Sequence, residues 1–249
     1  MKLDPADTFS FEQLADIFNA GYEGYVVPMR VEPQTLESMV RAWDVDLARS
    51  RVALRDGGDP IGIALLAARG DQGWVGGLGV APGARRQGVG RTLMEAVLAE
   101  APPVVRLEVI EQNEAARKLY EQLGFRELRL LEVWTLTADV APAEARTVDP
   151  SPPGEPDPAW QRADQSLPAD YERIEVDGGA AAILVRGDRV SVFQIAADDE
   201  HAARALLQAA RGRGSSVHVV NIPVGSVASA ALAELGGSLD LRQHELQLP

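Results

Sequence analysis

One stretch limits what this chain can fold into more than any other: Leu78-Gly79-Val80-Ala81-Pro82-Gly83-Ala84-Arg85-Arg86-Gln87-Gly88-Val89-Gly90-Arg91-Thr92-Leu93. Trp74 to Val80 read as a strand, which Pro82-Gly83 break. Val89, Leu93, Met94, Val97 and Leu98 then recur at helical spacing and give one apolar face. The first N–H groups of that helix have no internal partners and lie at the positive end of its dipole. Gly88 and Gly90 carry no Cβ, so a ligand can approach the backbone closely there. The turn is an anion site suited to a phosphate or pyrophosphate, with Arg85, Arg86 or Arg91 adding charge nearby.

Two familiar phosphate loops do not fit. A Walker loop needs Lys-Ser or Lys-Thr after its second glycine, whereas Gly90 precedes Arg91-Thr92. A dinucleotide fingerprint needs its glycines in the first strand-to-helix turn, whereas Gly77 and Gly79 sit inside a strand. The spacing Arg85-x-x-Gly88-x-Gly90, preceded by a strand ending Val80-Ala81-Pro82, resembles the acetyl-coenzyme A pyrophosphate loop of the GNAT N-acetyltransferases. A second stretch, Leu107-Glu108-Val109-Ile110 through Asn113, Ala116, Leu119-Tyr120 and Gly124-Phe125, resembles the strand-loop-helix of the same family. Physically, Asn113 is a good N-cap and Gly124 a good C′ residue, so a helix is bracketed between them. The resemblance covers roughly the first 138 residues.

Composition sets the outer limits. The chain has 249 residues, a net charge of −13, no cysteine and three histidines. Its length suits one large or two modest domains. Cysteine-free, it has no disulfide framework and no thiolate nucleophile or metal site. His201, His218 and His244 show no ligand spacing, so no metal is expected. The negative charge argues against nucleic acid or an anionic membrane as partner. No stretch has the length of a membrane span and no signal segment opens the sequence, so the expected localisation is cytoplasmic.

In chain order, helices are expected over Ser10 to Tyr22 and Pro33 to Trp43, separated by the irregular Gly21-Tyr22-Glu23-Gly24-Tyr25 and Pro28. Strands follow at Ser50 to Arg55, Ile61 to Ala68 and Trp74 to Val80, then the phosphate helix, a strand and the Asn113 helix. A last pair of strands spans Phe125 to Thr137. Between Ala138 and Trp160 the chain turns proline-rich and acidic, a semi-rigid, solvated linker composition. Beyond it, strands at Tyr171 to Val176, Ala180 to Val185 and Val190 to Ala196, a helix at Asp199 to Arg211, a strand at Val217 to Asn221, a helix at Ser226 to Leu235 and a strand at Ser238 to Gln247 repeat the order of the first half without its leading helices. The element order gives an α/β fold class with a mixed sheet, and the resemblance implies an acyl-CoA N-acyltransferase fold over 1–138, a linker over 139–159, and a degenerate, smaller copy over 160–249. In that copy Asp198-Asp199-Glu200 stand where the first half has Arg85 to Gly90, and Leu232 stands where Tyr120 does. Carboxylates at a helix N-terminus repel a pyrophosphate, so the copy is expected to bind no coenzyme.

The resemblance implies acetyl transfer from acetyl-coenzyme A, the acyl-donor substrate, to a primary amine of a small molecule or peptide N-terminus. It implies coenzyme contacts from Leu78, Gly79, Val80, Arg85, Arg86, Gln87, Gly88, Val89, Gly90, Arg91, Asn113 and Tyr120. Leu78 and Val80 would pair with the pantetheine amides as an added strand. Tyr120 is implied as general acid toward the leaving thiolate; a phenol with a reference pKa of about 10 is protonated at neutral pH. Many family members carry a carboxylate base on the strand before the phosphate loop, where this chain has Gly76-Gly77-Leu78-Gly79. Glu108, in a Leu-Glu-Val run twelve residues before Tyr120, resembles the base of the ribosomal-protein alanine acetyltransferases. Glu23 acting through water is the alternative base, and an arginine partner the alternative role for Glu108. Glu23, Tyr25 and Met29 are candidates to touch the acceptor, with Tyr22 and Tyr25 alternatively packing the helix junction. A non-catalytic acyl-CoA sensor or scaffold is the competing function, and the chain is expected to be a monomer or homodimer.

Overall fold

The first helix forms as α1 (Phe11–Gly21), and its start is set by side chains. Ser10 Oγ accepts from the Gln13 N–H at 3.3 Å while Gln13 Oε1 accepts from the Ser10 N–H at 2.9 Å, a capping box. Leu14, Ala15, Ile17 and Phe18 form its buried face. Helix α2 (Pro33–Ala42) begins on Pro33, whose missing N–H costs nothing in the first turn. The computed structural model describes residues 1–249, which divide into two compact units: Met1–Leu128 with Glu245–Pro249, and Arg129–His244.

In the first unit, strands β1 (Lys2–Pro5), β2 (Arg51–Leu54), β3 (Pro60–Arg69) and β4 (Gln72–Val80) pair antiparallel in that order. Strand β5 (Val104–Ile110) then joins β4 in parallel, and the end of β12 (Ser238–Leu248) lies beside β5. Helices α3 (Val89–Leu98) and α4 (Glu114–Gln122) complete the unit. One apolar cluster joins Leu93, Met94 and Val97 of α3 and Tyr120 of α4 to Val105, Leu107 and Val109, and it includes Leu246. A separate cluster joins Leu14, Ile17 and Phe18 of α1 and Leu36 of α2 to Val52, Ile63 and Leu65. The sheet thus carries a helix pair on each face.

Two irregularities shape β4. Its register against β3 shifts between Val75 and Gly77, leaving Gly76 as a bulge. Its pairing with β5 ends at Trp74 and Arg106, although β4 runs on to Val80 and β5 to Ile110. The two strands separate beyond that point and leave an open wedge.

The second unit holds most of β6 (Arg126–Leu136), with β7 (Arg146–Val148), β8 (Glu172–Val176), β9 (Gly179–Arg186), β10 (Arg189–Ala197), α5 (Glu200–Arg211), β11 (Ser216–Pro223), α6 (Val227–Glu234) and the first part of β12. The strand order is β12-β6-β11-β10-β9-β8-β7, with β10 and β11 parallel. The pair of strands expected over Phe125 to Thr137 is one uninterrupted strand, because that segment contains no turn residue to fold it back. Asp199 caps α5 and Ser226 caps α6, so Ser226, one residue beyond Gly225, is the counterpart of the Asn113 cap. The proline-rich stretch is more structured than its composition suggests: β7 pairs with β8, and Glu155 forms an ion pair with the fully buried Arg162.

Candidate active site

The part of β4 beyond its pairing with β5 lines a cleft of about 790 Å³. Leu78 and Val80 line it from β4, Gly88, Gly90 and Arg91 from the start of α3, Asn113 to Leu119 from α4, and Tyr22 and Tyr25 from the loop after α1.

At the wide end, Gly88 is the N-cap of α3 in a left-handed conformation (φ 84°), and no side chain caps the helix. Arg86 is also left-handed (φ 62°). Such a turn exposes successive backbone N–H groups on a concave surface, which is what a pyrophosphate requires. A Cβ at Gly90 would meet Leu119 and Val80 at 3.6 and 3.7 Å, so this glycine keeps the floor low between two cleft walls. Arg86 and Arg91 stand at this end; Arg91 donates to Gln122 and lies 3.6 Å from Glu95.

Arg85 has a different task. Its guanidinium donates to Val80 O at 2.8 Å, Gly21 O at 3.2 Å and Glu23 O at 2.6 Å. It lines the cleft but ties the loop after α1 to the end of β4. Gln87 likewise donates to Gly83 O at 3.0 Å, and Val89 is buried in the core.

The narrow end is built on glycines. A Cβ on Gly21 would stand 2.8 Å from the Gly79 backbone, so α1 and β4 touch main chain to main chain. A Cβ on Gly76 would lie 2.2 Å from the Trp74 ring, which covers the bulge. Trp74 is 1% exposed, meets Trp43 edge-on at 5.6 Å, and donates its indole N–H to Glu108 Oε2 at 2.7 Å. Glu108 therefore sits just beyond the last paired residues and accepts a hydrogen bond from the Trp74 indole.

The tyrosines gather from two elements. Tyr22 stacks on Phe18 at 4.4 Å and meets Tyr25 edge-on at 5.1 Å. Tyr25 is hydrogen-bonded to Asn113, which also caps α4 by accepting from the Ala116 N–H at 3.2 Å. Tyr120 is 6% exposed, packs on Phe125 at 5.9 Å, and is not part of the lining. Burial, then the neighbouring Tyr22 and Tyr25, push its phenol far above the ordinary tyrosine value. Burial also raises Tyr22 and Tyr25 above that value. Glu23 and Met29 are exposed and outside the lining, and Tyr22, weighed from sequence only as packing, is within it. Its spacing of four from Phe18 assigns it to the inner face of α1, and the cleft lies at the end of that face.

Residues 11–125 match the sequence profile of the acetyltransferase (GNAT) family. A mycothiol acetyltransferase from Clavibacter sepedonicus is 44% identical over 90 residues, which are 36% of this chain and 28% of that relative. The match thus spans less than a third of that relative's length. A GCN5-related N-acetyltransferase from Sphaerobacter thermophilus superposes with a TM-score of 0.69 at 20% identity, covering 98% of this chain and 93% of the other. A tandem GNAT protein from the clavulanic acid biosynthesis pathway superposes with a TM-score of 0.63 at 17% identity, covering 99% and 98%. The fold is the α/β acyl-CoA N-acyltransferase fold expected from the sequence, and a tandem GNAT protein shares it across nearly the whole chain.

The second unit has its own cleft of about 660 Å³, lined by Ile195 to Asp198 of β10 and its end and by Ser226 to Ala228 at the start of α6. Strand β10 carries a register shift between Val192 and Gln194, as β4 does between Val75 and Gly77. The Ile195 N–H just beyond it donates to Glu155 Oε2 at 3.1 Å, and Arg162 Nε donates to the other carboxylate oxygen at 2.8 Å. Glu155 thereby fills part of that cleft from within the chain.

Proposed function

We propose that the first unit transfers the acetyl group of acetyl-coenzyme A to a primary amine of a small molecule or a peptide N-terminus. One observation carries this reading: the wedge beyond Trp74 and Arg106 leads to an uncapped helix start at Gly88. An extended chain can lie along unpaired strand edges there, with its anionic end on the N–H groups of α3. The family profile over 11–125 supports acyl transfer.

The residues divide the proton work. The backbone at Leu78 and Val80 orients the donor, and Asn113 holds the opposite wall. Glu108 takes a proton from the acceptor ammonium, with Trp74 fixing one carboxylate oxygen. Tyr120, kept protonated by burial, donates to or stabilises the departing thiolate. The second unit binds no coenzyme: Glu155 fills its strand-edge donor, and the fully buried Leu232 stands where the first unit has Tyr120.

A thiol-release assay with acetyl-coenzyme A over a panel of amines tests the reading. Peptides with free N-termini and mycothiol-related amines belong in it, the latter because of the Clavibacter relative. Turnover with any amine, lost in Glu108→Gln, supports it. Tight coenzyme binding without turnover on the whole panel favours a non-catalytic acyl-CoA sensor, a reading supported by the absence of a carboxylate on β4. Coenzyme found against residues 190 to 215 would contradict the assignment of binding to the first unit alone.

A further inference from the structure

Tyr22 closes the cleft on the side of β4 where that strand has no side chains to do so. A Cβ at Gly77 would lie 3.4 Å from the Tyr22 phenol oxygen, and one at Gly79 would lie 3.3 Å from its ring. Tyr22 shares these positions with its neighbours: a Cβ at Gly77 would also lie 3.3 Å from the Phe18 ring, and one at Gly79 would lie 3.1 Å from the Gly21 backbone. Phe18 stacks behind the ring at 4.4 Å and is itself 2% exposed, and Tyr25 meets the ring edge-on at 5.1 Å. The phenol oxygen is hydrogen-bonded to the Leu78 backbone, between the two glycines. Tyr22 is thus held by an aromatic ring behind, another at the side and the main chain below.

We propose that Tyr22 sets the length of acyl group the cleft accepts, selecting acetyl over longer chains. The inference rests on reading this cleft as the acyl-coenzyme A site. A donor anchored by its pyrophosphate at Gly88 and Gly90 has a fixed reach along β4, past Val80 and Leu78 toward the narrow end. Its acyl group arrives where the Tyr22 ring stands, and the ring cannot retreat because Phe18 occupies the space behind it. In a walled pocket one surplus methylene changes discrimination by about 10–200-fold. Removing the wall turns that penalty into room.

The experiment uses the full chain and needs no acceptor. Coenzyme A, acetyl-coenzyme A and butyryl-coenzyme A are titrated by calorimetry into wild type, Tyr22→Ala and Tyr22→Leu. The leucine variant keeps an apolar side chain against Phe18 and guards against loss of folding in the alanine variant. The expected result is that wild type binds acetyl- over butyryl-coenzyme A by about tenfold or more, and that either variant brings the ratio near unity. Wild type without discrimination, or variants that keep the wild-type ratio, overturn the assignment of Tyr22 and leave the donor site standing. Failure of wild type to bind coenzyme A overturns both.

Discussion

Tyr22, Tyr25 and Tyr120 face alkaline pH differently from exposed tyrosines. Burial raises all of them, and for Tyr120 the charges that Tyr22 and Tyr25 would carry add to the effect. Their neutral forms are favoured in the folded state, so stability is full below the unfolded phenol value of about 10 and falls as pH rises above it. Denaturant midpoints measured from neutral pH to about pH 11, alongside phenolate absorbance, should show unfolding and ionisation together. Phenols that ionise while the fold persists would contradict their burial. Tyr120→Phe separates chemistry from packing, because the ring stays against Phe125. Turnover should drop about 10²-fold, with coenzyme affinity and thermal midpoint nearly unchanged. A purely structural hydroxyl gives the opposite pattern: about 1 kcal/mol of lost stability and normal turnover. The experiment is steady-state kinetics plus a thermal melt on the purified variant.

Strand β4 and helix α3 show how glycines with different tasks can be told apart. Gly21→Ala places a methyl carbon 2.8 Å from the Gly79 backbone, which cannot yield, and should cost about 1–3 kcal/mol of stability by chemical denaturation. Gly90→Ala meets only side chains at ordinary contact distance inside α3, where alanine is favoured over glycine by about 1 kcal/mol. It should hold or raise the melting temperature, while Gly90→Val, with its branched side chain rising into the cleft, should weaken coenzyme binding in a calorimeter. Gly88 has open space around its missing Cβ but a φ of 84°, so a side chain there is opposed by the backbone, at about 1–2 kcal/mol. Much of this was legible in the sequence. Helix starts at Ser10, Asn113, Asp199 and Ser226 follow from residues that cap through their own side chains. The β4 bulge was not legible, since a bulge is defined by the register of the partner strand. Gly76-Gly77-Leu78-Gly79 reads from sequence as a missing carboxylate; in the fold it seats the rings of Trp74 and Tyr22 and the backbone of α1. The place of Trp74 in the site was not legible either, because an indole bond to Glu108 joins residues on different strands.

Across the whole molecule, each unit can be perturbed by itself. Glu155→Gln removes the charge that balances Arg162, whose side chain is fully buried. Breaking such a buried pair costs about 3–5 kcal/mol, so the second unit should unfold at lower denaturant while coenzyme titration of the first is unchanged. Lost coenzyme binding in that folded variant would argue against a donor site confined to the first unit. The five residues Glu245–Pro249 belong to the first unit, and Leu246, 4% exposed, packs in the same cluster as Phe125 and Tyr120. On the ribosome, a chain growing at about 5–20 residues per second completes the segment to Leu128 several seconds before it makes Leu246. During that interval the apolar surface around Phe125 has no final strand to cover it, and the contact that covers it joins distant parts of the sequence, the slow kind to form. The second unit has all its residues by His244, so the unit begun first is the one that receives its last residues last.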